Sequence, residues 1–286
     1  MSHNLPRRIL VAVIAIPSVF GLVYLGGWVL AGALAVIGVL GTKEVFDLAQ
    51  RKGTKPLRLA GYVGAAGAPM AIAAALFMGG TVRPTMLGGA AALWLIGVML
   101  VALATRGPDD GPLAATSVTV FGVGYAGLLP SFLLGLRHTP AAPDALTATW
   151  LSFLPLVLTW LCDTAAMLAG VTIGGKKLAP TASPNKTWAG GIAGFAIACA
   201  AAPVYGHFLL TGMDRVPAWW QLATRGAVVG VVGQLGDVAE SLFKREAGVK
   251  DSGTLLPGHG GILDRLDSLY WVIPLSVFTL KIVGVL

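Results

Sequence analysis

The sequence predicts an all-α integral membrane protein with about nine membrane-spanning helices. Hydrophobic residues make up 56% of its 286 residues, charged residues make up only 12%, and the mean hydropathy is +0.79. A soluble globular protein carries roughly 25% charged residues. The apolar runs are long and unbroken, without the weak alternation of a membrane barrel, so the spans are predicted to be helices.

Each predicted span is an apolar run of about the 20 residues that cross a hydrocarbon core. The first run is not followed by a small-residue cleavage site and a polar segment, so we expect a retained helix rather than a signal peptide. The predicted spans are residues 8–26, 27–48, 58–80, 84–105, 112–136, 147–174, 187–212, 218–243 and 268–286. We divide the chain into an N-terminal membrane region, 1–145, and a C-terminal region, 146–286, that carries most of the polar motifs.

The basic residues are distributed unevenly between the two predicted sides of the membrane. With a cytoplasmic N-terminus, fifteen of the twenty Lys and Arg residues fall on the cytoplasmic side. Cytoplasmic loops of membrane proteins are enriched in these residues. We therefore predict a multi-pass protein of the cell inner membrane with its N-terminus in the cytoplasm, where nucleotides are found.

The stretch from Gly236 to Ser268 combines acids, bases and glycines beside apolar runs. Carboxylates suit Mg²⁺, cations suit phosphates, and glycines allow close backbone approach, so the stretch suggests a magnesium–nucleotide site. A charged loop between two helices is the alternative, but carboxylates next to an apolar run are costly and usually functional. On a helix, one face would carry two acids, a hydroxyl and a cation, namely Asp237, Glu240, Ser241 and Lys244.

A second polar stretch follows the apolar run that ends near residue 161. Asp163 is an intramembrane carboxylate, and either a helix-to-helix hydrogen bond or a functional role would explain it. Residues 183–188 (SPNKTW) read equally well as a phosphate cradle or as an N-cap before the next helix. Two other polar segments read more readily as structural: Thr42–Gly53 as a solvated interfacial face, with an accessory contact to lipid phosphate as the alternative, and Asp109–Asp110 as a turn, with a metal pair as the alternative.

Together these stretches resemble the phosphatidate cytidylyltransferases, also called CDP-diacylglycerol synthases. Two departures are visible, because Ala189 stands where the family commonly has Glu and Met167 where it often has an aromatic residue. The resemblance covers the chain from about residue 163 onward, and only loosely the first half, through the helix count and the Lys43-Glu44-Val45-Phe46 turn. Its signature is a Ser, then Lys-Arg, Lys-Asp, His-Gly-Gly and Asp-Arg-x-Asp, met here by Ser241, Lys244-Arg245, Lys250-Asp251, His259-Gly260-Gly261 and Asp264-Arg265-Leu266-Asp267.

The resemblance implies that CTP and phosphatidic acid react to give CDP-diacylglycerol and pyrophosphate, with Mg²⁺. The family's two-cation site, in which the second ion could be monovalent, maps onto Asp237 and Asp264. We expect charge neutralisation and positioning to dominate catalysis, since the lipid phosphate is already an anion. The residues expected to act at the reaction are Lys244, Arg245, His259 and Asp267; those expected to bind substrate are Ser183, Lys186, Thr187, Ser241, Lys250 and Arg265.

Three other functions compete with this one. A sister cytidylyltransferase could use another lipid phosphate, such as an archaeal ether lipid. The groove expected to bind the lipid chains is apolar throughout, and no residue in it identifies the lipid. A CDP-alcohol phosphotransferase would carry an Asp-Gly-x-x-Ala-Arg run, which is absent. A transporter could use Asp163 and Asp237 as ion sites, but the two halves show no convincing inverted repeat. We expect membrane lipids and no nucleic acid as partners, and a homodimer is an expectation that the sequence does not decide.

Overall fold

A computed structural model of the chain describes residues 5–78, 84–213, 215–255 and 260–282. Within those residues, seven helices are long and apolar enough to cross a membrane, and they coincide with the second to eighth predicted spans. The first predicted span corresponds to helix Leu5–Leu25, and the ninth to helix Leu269–Ile282, with its residues 283–286 outside the described part of the chain. The predicted class, an all-α multi-pass membrane protein, is confirmed.

The helices are numbered along the chain. Their bounds are α1 Leu5–Leu25, α2 Gly27–Gln50, α3 Arg58–Phe77, α4 Pro84–Thr105, α5 Pro112–Gly122, α6 Leu129–Ser131, α7 Leu133–Arg137, α8 Ala145–Thr172, α9 Trp188–Leu209, α10 Trp219–Glu246, α11 Leu263–Leu266 and α12 Leu269–Ile282. A π-helix, Val123–Leu128, joins α5 to α6, so the fifth span is a continuous but irregular helix. The predicted turn at Asp109–Asp110 is a short 3₁₀ helix, Pro108–Asp110.

The chain folds into two compact units, each built from two separate stretches. Unit 1 consists of Met1–Leu134 and Ala247–Arg265, and unit 2 of Gly135–Glu246 and Leu266–Leu286. The charged stretch after Gly236 is therefore shared between the units, with its helical part in unit 2 and its glycine-rich loop in unit 1. This loop comprises residues 252–262, of which the structure describes 252–255 and 260–262. The functional division predicted at residue 145 remains a prediction.

In unit 1, small residues allow α2, α3 and the π-helix to pack closely. Phe46 is fully buried, and a Cβ added at Gly61 or Gly122 would overlap its ring. A Cβ added at Gly127 would lie 2.8 Å from the Cα of Ala65. Such small-residue contacts bring helix backbones together in lipid, where the hydrophobic effect between helices is weak. They fix the C-terminal turns of α2, which carry polar residues discussed below.

In unit 2, glycines make the contacts among α8, α9 and α10. A Cβ on any of three glycines would overlap the backbone of a neighbouring helix: Gly190 that of Ala166, Gly194 that of Cys162, and Gly226 that of Ala198. Helix α12 packs on α10 at Gly233, where an added Cβ would lie 3.3 Å from a methyl carbon of Val272. This packing sets the positions of the acidic residues on α8 and α10.

A two-stranded antiparallel hairpin precedes α9 and was not predicted. Strand β1, Lys177–Ala179, pairs with β2, Ser183–Thr187, so that Lys177 lies opposite Thr187. The backbone N–H of Trp188 also donates to the carbonyl of Lys176 at 3.0 Å. The hairpin holds the predicted phosphate cradle in a fixed extended conformation directly before the helix.

Candidate active site

In unit 2, Asp237 contacts two other predicted site residues. Lys186 from β2 places its ammonium nitrogen 2.6 Å from Oδ2 of Asp237. The hydroxyl of Ser241, one helical turn further along α10, donates to Oδ1 at 3.3 Å. The two charged side chains keep 24% and 27% of their surface exposed, so a solute can reach the pair. The predicted shared face of Asp237 and Ser241 is confirmed.

Lys186 is positioned by its neighbour in the strand, Thr187, and by a contact with α10. Thr187 is buried and is the N-cap of α9, since its hydroxyl oxygen accepts from the N–H of Gly190 at 3.1 Å. The Lys186 ammonium also lies 3.5 Å from the carbonyl oxygen of Gln234. The capping interpretation of this segment is therefore correct. Phosphate contact by Ser183 and Thr187 remains a prediction.

Asp267 and Asp163 add negative charge near Asp237. Asp267 lies in the turn before α12, and its Oδ1 accepts from the N–H of Ser268 at 2.6 Å. The pKa of Asp267 is raised to about 7, chiefly by burial and also by the negative charges of Asp237 and Asp163. Three carboxylates of unit 2 thus lie within electrostatic range of one another, a cluster that favours a bound cation.

Lys244 and Arg245, at the end of α10, have different environments. The Lys244 ammonium lies 3.1 Å from Oε1 of Glu240, and both side chains are buried. The charge of Lys244 is therefore already balanced on the protein. Arg245 is exposed, and its Nε donates to the carbonyl of Ala182, in the hairpin turn, at 3.3 Å.

In unit 1, Asp264 fixes the glycine-rich loop. Its Oδ2 accepts from the backbone N–H of Ser252 at 2.8 Å, from the Ser252 hydroxyl at 2.9 Å and from the N–H of Gly261 at 2.8 Å. The predicted substrate ligands Lys250 and Arg265 are exposed on either side of this loop. His259 lies outside the described residues.

Glu44 is a site residue that the sequence reasoning missed. The expectation of a solvated face over Thr42–Gly53 holds for the exposed Lys43 and Gln50–Gly53 but not for Glu44, which is only 5% exposed. Oε1 of Glu44 accepts from the N–H of Ile262 at 2.9 Å, and Oε2 accepts from the N–H of Leu263 at 2.9 Å. A signal was present, because Gly41, Glu44 and Leu48 share one helical face on which the neighbours of the acid are apolar.

The donor chemistry of these carboxylates fits Mg²⁺. Among the residues that the structure describes, no group of three or more His, Cys, Asp or Glu side chains is arranged to hold a metal. Magnesium is commonly bound through one or two carboxylates, with waters and substrate phosphates completing its shell. In unit 2, the three acids lie within electrostatic range of one another, Lys186 pairs with Asp237, and Lys244 pairs with Glu240. The local charge is negative, and a cation would balance it.

The fold and these clusters define a class of protein: a multi-pass membrane protein with a cluster of carboxylates and ammonium groups in unit 2 and, in unit 1, a glycine-rich loop whose backbone donates to buried carboxylates. Residues 6–283 match the family described as the cytidylyltransferase family. The chain belongs to that family, as its motifs predicted.

Named relatives include three bacterial proteins called phosphatidate cytidylyltransferase. The protein of Synechocystis sp. is 33% identical over 95% of this chain and 95% of its own length. The protein of Haemophilus influenzae is 39% identical over 50% of this chain and 49% of its own length. That of Brucella suis is 48% identical over 39% of this chain and 40% of its own length.

Proposed function

We propose that this protein transfers CMP from CTP to phosphatidic acid and so makes CDP-diacylglycerol and pyrophosphate. The names of its relatives supply the substrates. The observation that carries the proposal is the accessible Lys186–Asp237 pair, which lies within electrostatic range of two further carboxylates in a membrane protein. An anionic nucleotide with its cation and an anionic lipid headgroup both suit such a site.

The reaction is a displacement at the α-phosphorus of CTP. An oxygen of the phosphatidate phosphate forms a new bond to that phosphorus, and the bond to the bridging oxygen of the β-phosphate breaks. Pyrophosphate leaves with that electron pair. No strong general base is required, because the attacking phosphate oxygen is already ionised. The protein therefore has mainly to align two anions and to neutralise their charge.

We assign the cation site to Asp237 and Asp264. Bound Mg²⁺ would neutralise charge on the reacting phosphates, and a second cation, which could be monovalent, belongs to the same proposal. Lys186 holds the Asp237 carboxylate and offers its ammonium to a phosphate. The exposed cations Arg245, Lys250 and Arg265 are assigned to the triphosphate and the departing pyrophosphate. Buried Lys244 acts through its pair with Glu240, which holds the end of α10.

The direct test incubates the purified protein with phosphatidic acid and CTP labelled at the α-phosphate, with and without Mg²⁺. We expect labelled lipid only when Mg²⁺ is present, and unlabelled pyrophosphate in equal amount. Parallel reactions with an ether-linked lipid phosphate distinguish the sister activity. Failure to label any lipid, or solute uptake by reconstituted liposomes without CTP consumption, would contradict the proposal.

We also propose a location in the cell inner membrane with the N-terminus in the cytoplasm. The support is the bias of Lys and Arg in the sequence and the need for cytoplasmic CTP. Protease protection of an N-terminal tag in sealed inside-out and right-side-out vesicles tests it. Cleavage of the tag only in inside-out vesicles is expected, and cleavage only in right-side-out vesicles would reverse the topology.

A further inference from the structure

The carboxylate of Glu44 holds a segment that lies more than 200 residues further along the chain. Its Oε2 accepts from the Ser252 hydroxyl at 2.8 Å, in addition to the Leu263 N–H, while Oε1 accepts from the Ile262 N–H. All three donors belong to the glycine-rich loop or to the start of α11. A buried carboxylate that lacks such donors is costly, so these contacts tie the loop to α2.

Ser252 connects Glu44 to the proposed metal ligand. Its hydroxyl oxygen lies 2.8 Å from Oε2 of Glu44 and 2.9 Å from Oδ2 of Asp264. The backbone N–H groups of Ser252 and Gly261 reach the same Oδ2 of Asp264. The orientation of the Asp264 carboxylate therefore depends on the loop that Glu44 holds in place.

The glycines of the loop are required by how closely it approaches the two acids. A Cβ added at Gly261 would overlap the Glu44 carboxylate, and one added at Gly253 would lie 2.7 Å from Oε1 of Glu44. Gly260 has a φ of +80°, and an added Cβ there would lie 2.5 Å from Oδ2 of Asp264. Glycine at these positions admits the carboxylates to the backbone, so the contacts form one closely fitted arrangement.

We propose that Glu44 is a positioning residue, which orients Asp264 for the cation through Ser252 and the first turn of α11. The inference rests on the proposed function, since it takes Asp264 as a cation ligand. Partners that orient a ligand commonly change metal affinity by about 10- to 100-fold when they are removed. Glu44 lies on α2, so a span from the first half of the chain contributes to a site whose main signature lies in the second half.

The test compares Glu44→Gln, Glu44→Asp and the control Asp47→Asn in the full-length protein. Glu44→Gln keeps the size of the side chain but turns an amide N–H₂ toward donors. Asp47, one turn further along α2, forms surface ion pairs with Lys43 and Arg58 and makes the matched acid-to-amide control. Two quantities are measured: the affinity for Mn²⁺, by electron paramagnetic resonance, and the rate of tryptic cleavage after the exposed Lys250, by detection of a C-terminal tag.

We expect Glu44→Gln to weaken Mn²⁺ binding at least about tenfold and to speed cleavage after Lys250. Glu44→Asp should fall between it and the wild type, and Asp47→Asn should match the wild type in both quantities. Unchanged Mn²⁺ affinity in Glu44→Gln overturns the positioning role, even if cleavage is faster. Neither readout requires turnover, so a wild-type protein that binds Mn²⁺ but makes no CDP-diacylglycerol would refute the proposed function while the inference about Glu44 is still decided.

Discussion

The ion pair between Lys186 and Asp237 joins a predicted substrate contact to a predicted cation ligand. At 2.6 Å the ammonium occupies one carboxylate oxygen while Ser241 binds the other. A metal ion at Asp237 would compete with Lys186 for this carboxylate, and a triphosphate would offer the released ammonium a new anion. We therefore expect Lys186 to couple the arrival of the cation to that of the nucleotide.

Replacing Lys186 with Gln should lower kcat/KM for CTP by about 10- to 100-fold. A hydrogen bond to a charged group contributes about 1.5–3 kcal/mol, and every 1.4 kcal/mol corresponds to a factor of ten. Steady-state rates at varied CTP concentration measure the effect. Lys177→Gln, an exposed lysine on the paired strand, is the control and should stay within a few-fold of the wild type. Equal losses in both variants would mean that Lys186 has no specific role.

Individual site residues differed in how far the sequence predicted them. Asp237 and Ser241 follow from helical spacing alone, because side chains four residues apart share a face. Lys186 was predicted as a substrate-binding residue from its motif, residues 183–188, and the structure adds the pairing with Asp237. Glu44 was missed because its partners lie 208–219 residues away, and no local pattern encodes a contact over that separation.

The hairpin before α9 contains the residues that the sequence suggested either as a phosphate cradle or as a helix N-cap. Thr187 is the last residue of β2, where it lies opposite Lys177, and its side chain caps α9, so one residue joins the strand to the helix start. Lys186, its neighbour, is thereby aimed at α10. The sequence could not predict the strands, because segments of three and five residues are too short for an alternating pattern to distinguish a strand from a turn.

Close packing of α9 against α10 should depend on Gly226. An added methyl group would overlap the carbonyl oxygen of Ala198, and backbone cannot move aside cheaply. We expect Gly226→Ala to destabilise the protein by about 1–3 kcal/mol, seen as a lower midpoint in thermal unfolding in detergent. Gly97→Ala on α4, where a Cβ meets nothing within 4 Å, is the matched control and should unfold at or above the wild-type temperature. A normal midpoint for Gly226→Ala would contradict this packing.

The spans as a set were predictable, whereas their grouping into units was not. Apolar runs near 20 residues long mark spans regardless of what they pack against. The second to eighth predicted positions agree with the seven helices in the described part of the chain that are long and apolar enough to cross a membrane. Unit 1 combines Met1–Leu134 with Ala247–Arg265, a pairing of distant stretches that hydropathy does not reveal. Sequence motifs mapped the proposed cation ligands onto the second half, but each unit carries one of them.

The proposed function depends on Asp237 of unit 2 and Asp264 of unit 1 serving one cation-dependent reaction. Mg²⁺-dependent formation of CDP-diacylglycerol should be measured for Asp237→Asn, Asp264→Asn and the double variant, with exposed Glu246→Gln as the control. If both acids serve one site, each single change lowers the rate at least about a hundredfold, because metal stabilisation amounts to several kcal/mol. The rate of the double variant should then be no lower than that of the slower single variant. Near-normal turnover in either single variant, or losses that simply multiply in the double variant, would contradict a shared site.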